Sequence, residues 1–188
     1  VQRNFKKISG NSKILFSIFF MVLMSFSVSA GNFTFQIETT SPSETFSFEF
    51  WDAVNLNVYW GDGNDNTYSD TDFVSHQYAT AGIYNISVNG QASRINFFPT
   101  TADLLIDILS NMSDGLTGIN SADSMFANAD SITTFSEPRW FDAVSENVTT
   151  MSHMFDGATS ADPDVSGWDT SSVTDMESMF SGATSANP

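Results

Sequence analysis

The acidic side chains between positions 62 and 72 are the residues whose types and spacing most resemble a metal site. The stretch "DGNDNTYSDTD" brings Asp62, Asp65, Asp70 and Asp72 together with two asparagines. Calcium takes about six to eight oxygen ligands of this kind. The spacing lacks the glycine and the closing glutamate of an EF-hand loop. A solvated acidic loop whose side chains hold turns is therefore favoured over a calcium site.

A second group of candidate ligands lies near position 153, where Met151, His153 and Met154 are soft ligands of the kind that bind copper. In two related segments of the chain, Ser124 and Ser178 stand at the position of His153. Methionine is also a common filler of irregular cores. The pattern therefore favours packing over metal binding.

Catalytic patterns are scarce in this sequence. His76 has no Ser, Cys or second His placed as a partner, and the chain has no cysteine, so it has no thiol nucleophile, disulfide or Cys zinc site. The Asp/Ser/Thr segments "SADPD" and "WDTSS" are typical of turns and caps. We predict a protein that is not an enzyme and has no cofactor, with calcium as the candidate ion.

The charge of the chain limits its partners. Its 188 residues include six Lys and Arg against 22 Asp and Glu, and four of the six basic residues lie in the first thirteen positions. An acidic surface repels phosphate backbones and anionic lipid, which argues against nucleic-acid binding. It suits a solvated extracellular surface or one that takes up cations.

The first thirty residues have the order of an export signal. The basic stretch "VQRNFKKISGNSK" precedes the apolar run "ILFSIFFMVLMSFSV", and small residues follow in "VSA". The apolar run is short for a membrane span, which needs about 20 residues. We predict a signal peptide over 1–30, cleaved between Ala30 and Gly31, and a secreted or cell-surface protein that meets the membrane only through this signal.

Residues 32–92 are predicted to form a small β-sandwich. "NFTFQIETT" and "FSFEFW" alternate apolar and polar residues, and Gly/Asp/Asn/Ser clusters separate the short strands. The segments "YWGDG" (59–63), "HQY" (76–78) and "AGIYNISV" (81–88) resemble a PKD-like domain. The resemblance implies an immunoglobulin-like sandwich that serves extracellular proteins as a spacer or binding module. It also implies a structural role for His76.

The second half of the chain repeats a phrase built on Met-Phe. The copies are "SMFANADSI" from Ser124, "HMFDGATSA" from His153 and "SMFSGATSA" from Ser178, and their phenylalanines are 29 and 25 residues apart. Internal repeats of this length are typical of stacked architectures. We therefore expect each copy to lay its apolar residues against its neighbours.

Each copy is predicted to contain a short helix. The spacing i, i+3, i+4 and i+7 puts on one stripe Met176, Met179, Phe180 and Ala183. Thr174 and Glu177 have capping-box spacing, and Gly182 stands where the helix should end. The positions predicted to be structural are Met125, Phe126, Met151, Met154, Phe155, Gly157, Trp168, Met176, Met179, Phe180 and Gly182.

The phrase "VSGWDTSSVTDMESMFSGATS" resembles the short repeat of BspA-like bacterial surface proteins. The resemblance implies leucine-rich-repeat-like stacking, adhesion and protein binding. The expected fold class is mixed: a small PKD-like β-sandwich followed by a short leucine-rich-repeat-like α/β solenoid. The expected segments are a signal peptide (1–30), the sandwich (32–92), a cap or degenerate repeat (93–118) and repeats cut within a copy (119–188).

These features together predict a secreted or cell-surface repeat protein that mediates adhesion or protein–protein binding. Proteins or cell-surface ligands are the expected partners, with Asp156, Asp162 and Asp164 as candidate contact residues between the fixed Met, Phe and Trp positions. Two alternatives stay open. The chain could be a structural surface spacer, or the non-catalytic N-terminal part of a larger secreted enzyme.

Overall fold

A computed structural model describes residues 31–70, 73–97 and 101–187. The predicted signal peptide and Asp72 lie outside the described residues. Within the described ranges, no helix has the length and apolar character needed to cross a membrane.

Two antiparallel sheets form the first part of the fold. Their strands are β1 (Phe33–Thr39), β2 (Thr45–Trp51), β3 (Val54–Tyr59), β4 (Asp65–Tyr68), β5 (Phe73–Gln77), β6 (Gly82–Gln91), β7 (Arg94–Asn96), β8 (Leu105–Ile108) and β9 (Leu116–Thr117). The larger sheet has the order β4-β3-β6-β1-β8, with β9 pairing in parallel with the end of β6, and the smaller has the order β5-β2-β7.

Alternation of side chains explains how the two sheets pack. Phe46, Phe48 and Phe50 on β2 are fully buried, because every second residue of a strand faces the same side. From the facing sheet, Phe35 meets Phe48 edge to face at 5.6 Å between ring centroids. Aromatic pairs in this geometry add to the free energy gained from burial alone. The core between the sheets is therefore largely aromatic.

The Met-Phe copies stack by regular backbone hydrogen bonds. Alternate N–H groups of residues 122–128 donate to carbonyls of residues 150–156, at 2.8–3.0 Å. Alternate N–H groups of residues 151–157 donate in the same way to carbonyls of residues 175–181, at 2.7–2.8 Å. Each copy therefore satisfies the backbone polar groups of the preceding one.

A column of phenyl rings runs along this stack. Phe97, Phe126, Phe155 and Phe180 lie 5.3, 5.2 and 5.4 Å apart between centroids, with interplanar angles of 16°, 13° and 1°. Phe97, which directly follows β7, also meets Phe35 of the sheet core at 4.8 Å. The column therefore begins in the core of the two sheets and continues through the repeats.

A charged contact reinforces the same junction. The Arg94 guanidinium lies over the Trp51 ring, 4.3 Å from its centroid, and Nη1 is 2.8 Å from Oδ2 of Asp123. The cation therefore bridges the smaller sheet and Asp123, the residue directly before the first Met-Phe copy. The strands β8 and β9, which lie within residues 93–118, join the larger sheet, so this segment is bound to the sheets as well as to the repeats.

The predicted α/β solenoid is wrong. The structure is mostly antiparallel sheet, and α1 (Asp142–Ser145), four residues long and outside the Met-Phe segments, is the one α-helix of the described chain. The predicted helices are absent because the residue before each Met-Phe pair is left-handed. Ser124, His153 and Ser178 have φ of 55°, 54° and 54°. A right-handed helix cannot continue through such a residue, so each copy is a series of turns.

The predicted capping box is also wrong. The N–H group of Glu177 donates to Oδ1 of Asp175 at 2.9 Å. The Thr174 hydroxyl donates instead to the Thr149 carbonyl of the preceding copy, at 3.1 Å. The local turn and the junction between copies thus use the residues that the sequence pattern assigned to a helix cap.

Phe155→Ala should unfold the stack more readily than Phe180→Ala. Phe155 is fully buried between two rings, whereas Phe180 is half-buried and has one described ring neighbour in the column. We expect Phe155→Ala to lower the free energy of unfolding by about 3–5 kcal/mol. We expect a loss of about 1–2 kcal/mol for Phe180→Ala. Urea unfolding measures both, and equal losses would contradict the column as the source of stability.

Gly115→Ala should be destabilising because the chain approaches itself closely there. A Cβ at Gly115 would overlap the Phe33 nitrogen and the Val88 carbonyl oxygen, both backbone atoms that cannot move freely. At Gly82 the nearest atoms to a Cβ belong to the Tyr84 ring at 3.7 Å, an ordinary contact. Thermal unfolding should show a loss of about 2–3 kcal/mol for Gly115→Ala and a change within about 1 kcal/mol for Gly82→Ala. Similar melting temperatures for the two variants would count against this packing.

Candidate functional site

The predicted structural positions of the repeats differ in burial. Fully buried are Met125, Phe126, Met151, Met154 and Phe155. Trp168, Met179 and Phe180 are partly buried and pack against the core, whereas Met176 is 44% exposed. Gly157 and Gly182 have φ of 74°, a conformation that glycine adopts without steric cost.

The candidate copper ligands are not presented together. Met151 and Met154 lie in the core at 0% exposure. The His153 side chain is 41% exposed, and its Nδ1 lies 3.1 Å from Oδ2 of Asp156. The two sulfur atoms therefore contribute to packing, and the imidazole is used in a surface contact.

Three candidate contact residues form what we call the acidic repeat surface: Asp156, Asp162 and Asp164. The Asp156 side chain is 41% exposed, and Asp162 and Asp164 are exposed. Hydrogen bonds from Ser166 lower the pKa of Asp164 below its ordinary value. Residues 120–188 contain eleven Asp and Glu against one Arg. At neutral pH this surface is therefore strongly anionic.

A cleft of about 370 Å³ adjoins the acidic repeat surface. Its lining residues are Pro138, Arg139, Asp142, Asp164, Ser166 and Gly167. Nε of Arg139 donates to Asp142, and this hydrogen bond raises the pKa of Arg139. The Arg139 side chain is 73% exposed. Arg139, the only Lys or Arg in residues 120–188, is therefore paired with a neighbouring carboxylate, and Asp164 adds a negative charge to the cleft.

The structure separates the candidate calcium ligands. Asp62 contacts His76, Asp65 begins β4, and the N–H group of Asp70 donates to the Ala53 carbonyl at 3.2 Å. No group of three or more His, Asp or Glu side chains among residues 31–70, 73–97 and 101–187 is arranged to hold a metal ion. The Asp62 carboxylate is thus paired with His76, and the positions of Asp65 and Asp70 are fixed by backbone pairing.

His76 lies in an aromatic cluster at one end of the sheets. Its Nε2 is 2.7 Å from Oδ2 of Asp62, and its ring stacks on Trp60 at 5.0 Å and 18°. The Tyr78 ring meets it edge on at 4.7 Å, and the Tyr78 hydroxyl donates to the Trp60 carbonyl at 2.9 Å. Burial raises the pKa of Tyr78, which keeps the hydroxyl protonated as a donor. The cluster therefore links the end of β3 to β5.

Sequence reasoning did not identify the outer face of the larger sheet as a candidate site. The face displays amide and hydroxyl side chains on neighbouring strands, joined for example by Gln36 Nε2 donating to Asn85 Oδ1 at 2.8 Å. Alternate residues Ile83, Asn85, Ser87 and Asn89 could be placed on one side of β6 from the sequence alone. The sequence does not show which strands pair with β6. That pairing places the amide side chains of β1 and β3 beside those of β6.

The structure thus defines a class of protein in which two packed antiparallel sheets carry a stack of short repeats. A family model described as "Mycoplasma protein of unknown function, DUF285" matches residues 120–188, which are the stacked copies. The repeats are therefore similar to those of a bacterial protein family. Searches of curated proteins and of solved structures gave no match for the chain.

Asp62→Asn should destabilise the aromatic cluster in a pH-dependent way. Partial burial raises the pKa of Asp62, but hydrogen bonds from His76 and Asn64 outweigh it and leave the pKa below its ordinary value. A carboxylate with a depressed pKa stabilises the fold above its unfolded pKa of about 3.9, and the stabilisation is lost as pH falls through the folded pKa. The unchanged chain should therefore have a larger free energy of unfolding than Asp62→Asn at pH 5, and this difference should shrink below about pH 4.

Chemical unfolding at a series of pH values from 5 downward measures this difference. Asp65→Asn, which changes an exposed carboxylate on the adjoining β4, serves as the matched control. A difference that stays constant over this range would show that Asp62 does not act through its charge.

Proposed function

We propose that the chain is a non-enzymatic binding protein displayed outside the cell, which uses its acidic repeat surface to bind a partner protein with a basic patch. The observation that carries the proposal is the contrast between the inside and the outside of the stack. The inward Phe126 and Phe155 are identical and fully buried. At the next position, Ala127, Asp156 and Ser181 differ between copies.

This contrast is what a recognition surface requires. The buried column holds the backbone in one geometry, so that the outward positions can change without loss of the fold. A preorganised surface loses little conformational entropy on binding. The anionic charge of the repeats would steer a basic partner and raise its rate of association.

Export is supported by the sequence of the first thirty residues, with a basic start and an apolar run of 15 residues. The resemblance of the repeats to BspA-like surface proteins, and of residues 59–88 to PKD-like domains, supports a place at the cell surface. The match of residues 120–188 to a bacterial family of unknown function is consistent with this proposal and names no partner.

The triple variant D156N/D162N/D164N should bind more weakly than the unchanged chain. We expect slower association and a smaller dependence on salt, because three charges of the acidic repeat surface are removed. Surface plasmon resonance on immobilised fibronectin, collagen and laminin, together with binding of labelled chain to intact bacterial cells, measures the effect. The control E38Q/D65N/D70N removes the same charge from the sheets.

Two outcomes would contradict the proposal: no binding on any of these surfaces, or equal effects of the two triple variants. A structural spacer is the second candidate, favoured by the one-dimensional stacking of the copies. Deleting one complete copy from a spacer should shorten its reach and leave its attachment to partners unchanged.

A further inference from the structure

We propose that the outer face of the larger sheet is a binding site for a neutral carbohydrate. The face lies on β4, β3, β6 and β1 and is distinct from the acidic repeat surface. It is called here the amide face, and its exposed or partly exposed residues are Gln36, Asn57, Tyr59, Thr67, Ile83, Asn85, Ser87 and Asn89, with Asn32 directly before β1. Thr34 lies among them but is buried.

Strand register brings these residues into rows. On the two sides of β6, Thr34 and Tyr59 both pair with Ser87, Gln36 pairs with Asn85, and Asn57 pairs with Asn89. Across the strands, four strands about 4.8 Å apart make the face about 14 Å wide. Along the strands, the four residues from Asn85 to Asn89 span about the same distance. A sheet face of this size is flat enough for a short oligosaccharide.

A chain of hydrogen bonds orients the amides. The Thr67 hydroxyl donates to Oδ1 of Asn57 at 2.7 Å, and Nδ2 of Asn57 donates to Oδ1 of Asn89 at 2.9 Å. Nδ2 of Asn89 in turn donates to Oδ1 of Asn32 at 2.6 Å. An amide has two donor hydrogens and two acceptor lone pairs, so this relay leaves Asn89 with one of each for a ligand. Fixed donors and acceptors side by side match sugar hydroxyls, which both donate and accept.

The charge of the face points to a neutral ligand. In a chain with 22 acidic residues, the carboxylates of this sheet lie at its borders, on Glu38, Asp65 and Asp107. The interior rows carry amides and hydroxyls, whose desolvation costs far less than that of a charge. Anionic polymers are repelled by the net charge of −16. Cationic partners would be drawn to the acidic repeat surface instead.

Two exposed residues add apolar surface to the amide face. Tyr59, which pairs with Ser87, is 42% exposed, and Ile83, four residues before Ser87 on β6, is 59% exposed. An aromatic ring offers an apolar surface with a polar hydroxyl at its edge. Tyr59 can therefore cover the C–H face of a sugar ring while the neighbouring amides bind its hydroxyls.

Affinity electrophoresis of the purified chain tests the site. The gels contain dextran, galactomannan or hydroxyethyl cellulose, with heparin as the anionic comparison. We expect at least one neutral polymer to retard the chain, and we expect Tyr59→Ala and Asn85→Ala each to weaken that retardation about tenfold. Phe73→Ala, which removes an exposed aromatic ring from β5 of the other sheet, should leave the retardation by the neutral polymer unchanged.

Side-chain amide signals in NMR spectra give a second readout that does not depend on a variant folding. Titration with a six-sugar fragment of the retarding polymer should shift the amide signals of Gln36, Asn85 and Asn89, and leave those of Asn120 and Asn147 in place. The variant D156N/D162N/D164N should retain carbohydrate binding, which separates this proposal from the protein-binding function. The carbohydrate-binding proposal would be overturned if heparin alone retarded the chain or if no polymer did. It would also be overturned if a neutral polymer retarded all variants equally.

Discussion

The stacking of Phe97 on Phe126 is the contact on which the rest of the structure depends. Phe97 packs in the aromatic core between the two sheets, and its other face begins the column of rings that passes through the repeats. A single Met-Phe copy is too small to bury its own apolar residues. The sheets therefore provide the first surface on which a copy can fold, and each copy provides the next surface. The stability of each copy therefore depends on the copy before it, and that of the first copy depends on this junction with the sheets.

The same constraint separates the roles of the two parts of the molecule. Within the stack, the inward positions are restricted to Met, Phe and Ala by close packing of the copies, with Ala129 and Ala158 fully buried. Outward positions face solvent, where carboxylates can accumulate without a desolvation cost. In the sheets, the pairing of strands determines the surface, and it brings together the amides of Asn57 on β3, Asn89 on β6 and Asn32 directly before β1. One molecule thus presents two surfaces of different chemistry, one anionic and one neutral.

The sequence predicted the apolar residues of the fold better than it predicted the backbone that carries them. The alternation of phenylalanines on β2 indicated a strand, and the recurrence of Met-Phe indicated stacking. The spacing of Met176, Met179 and Phe180 also fits a helix, however, and only the left-handed φ of Ser178 rules the helix out. Serine does not signal that conformation as a glycine would. For the candidate sites, the acidic residues could be identified from composition, whereas the amide face depends on strand pairs far apart in sequence.

The hydrogen bonds between the copies have a direction along the stack. At the junction of the last two copies, four backbone N–H groups of residues 151–157 donate forward, and two bonds, from Thr174 and Ser185, run back. The peptide units that form the forward bonds are aligned, with their N–H groups toward the later copy. The repeats therefore have a direction in their backbone hydrogen bonding, although their backbone is not helical. The two sides of a copy are therefore not equivalent, since N–H groups face the later copy and carbonyl groups face the earlier one.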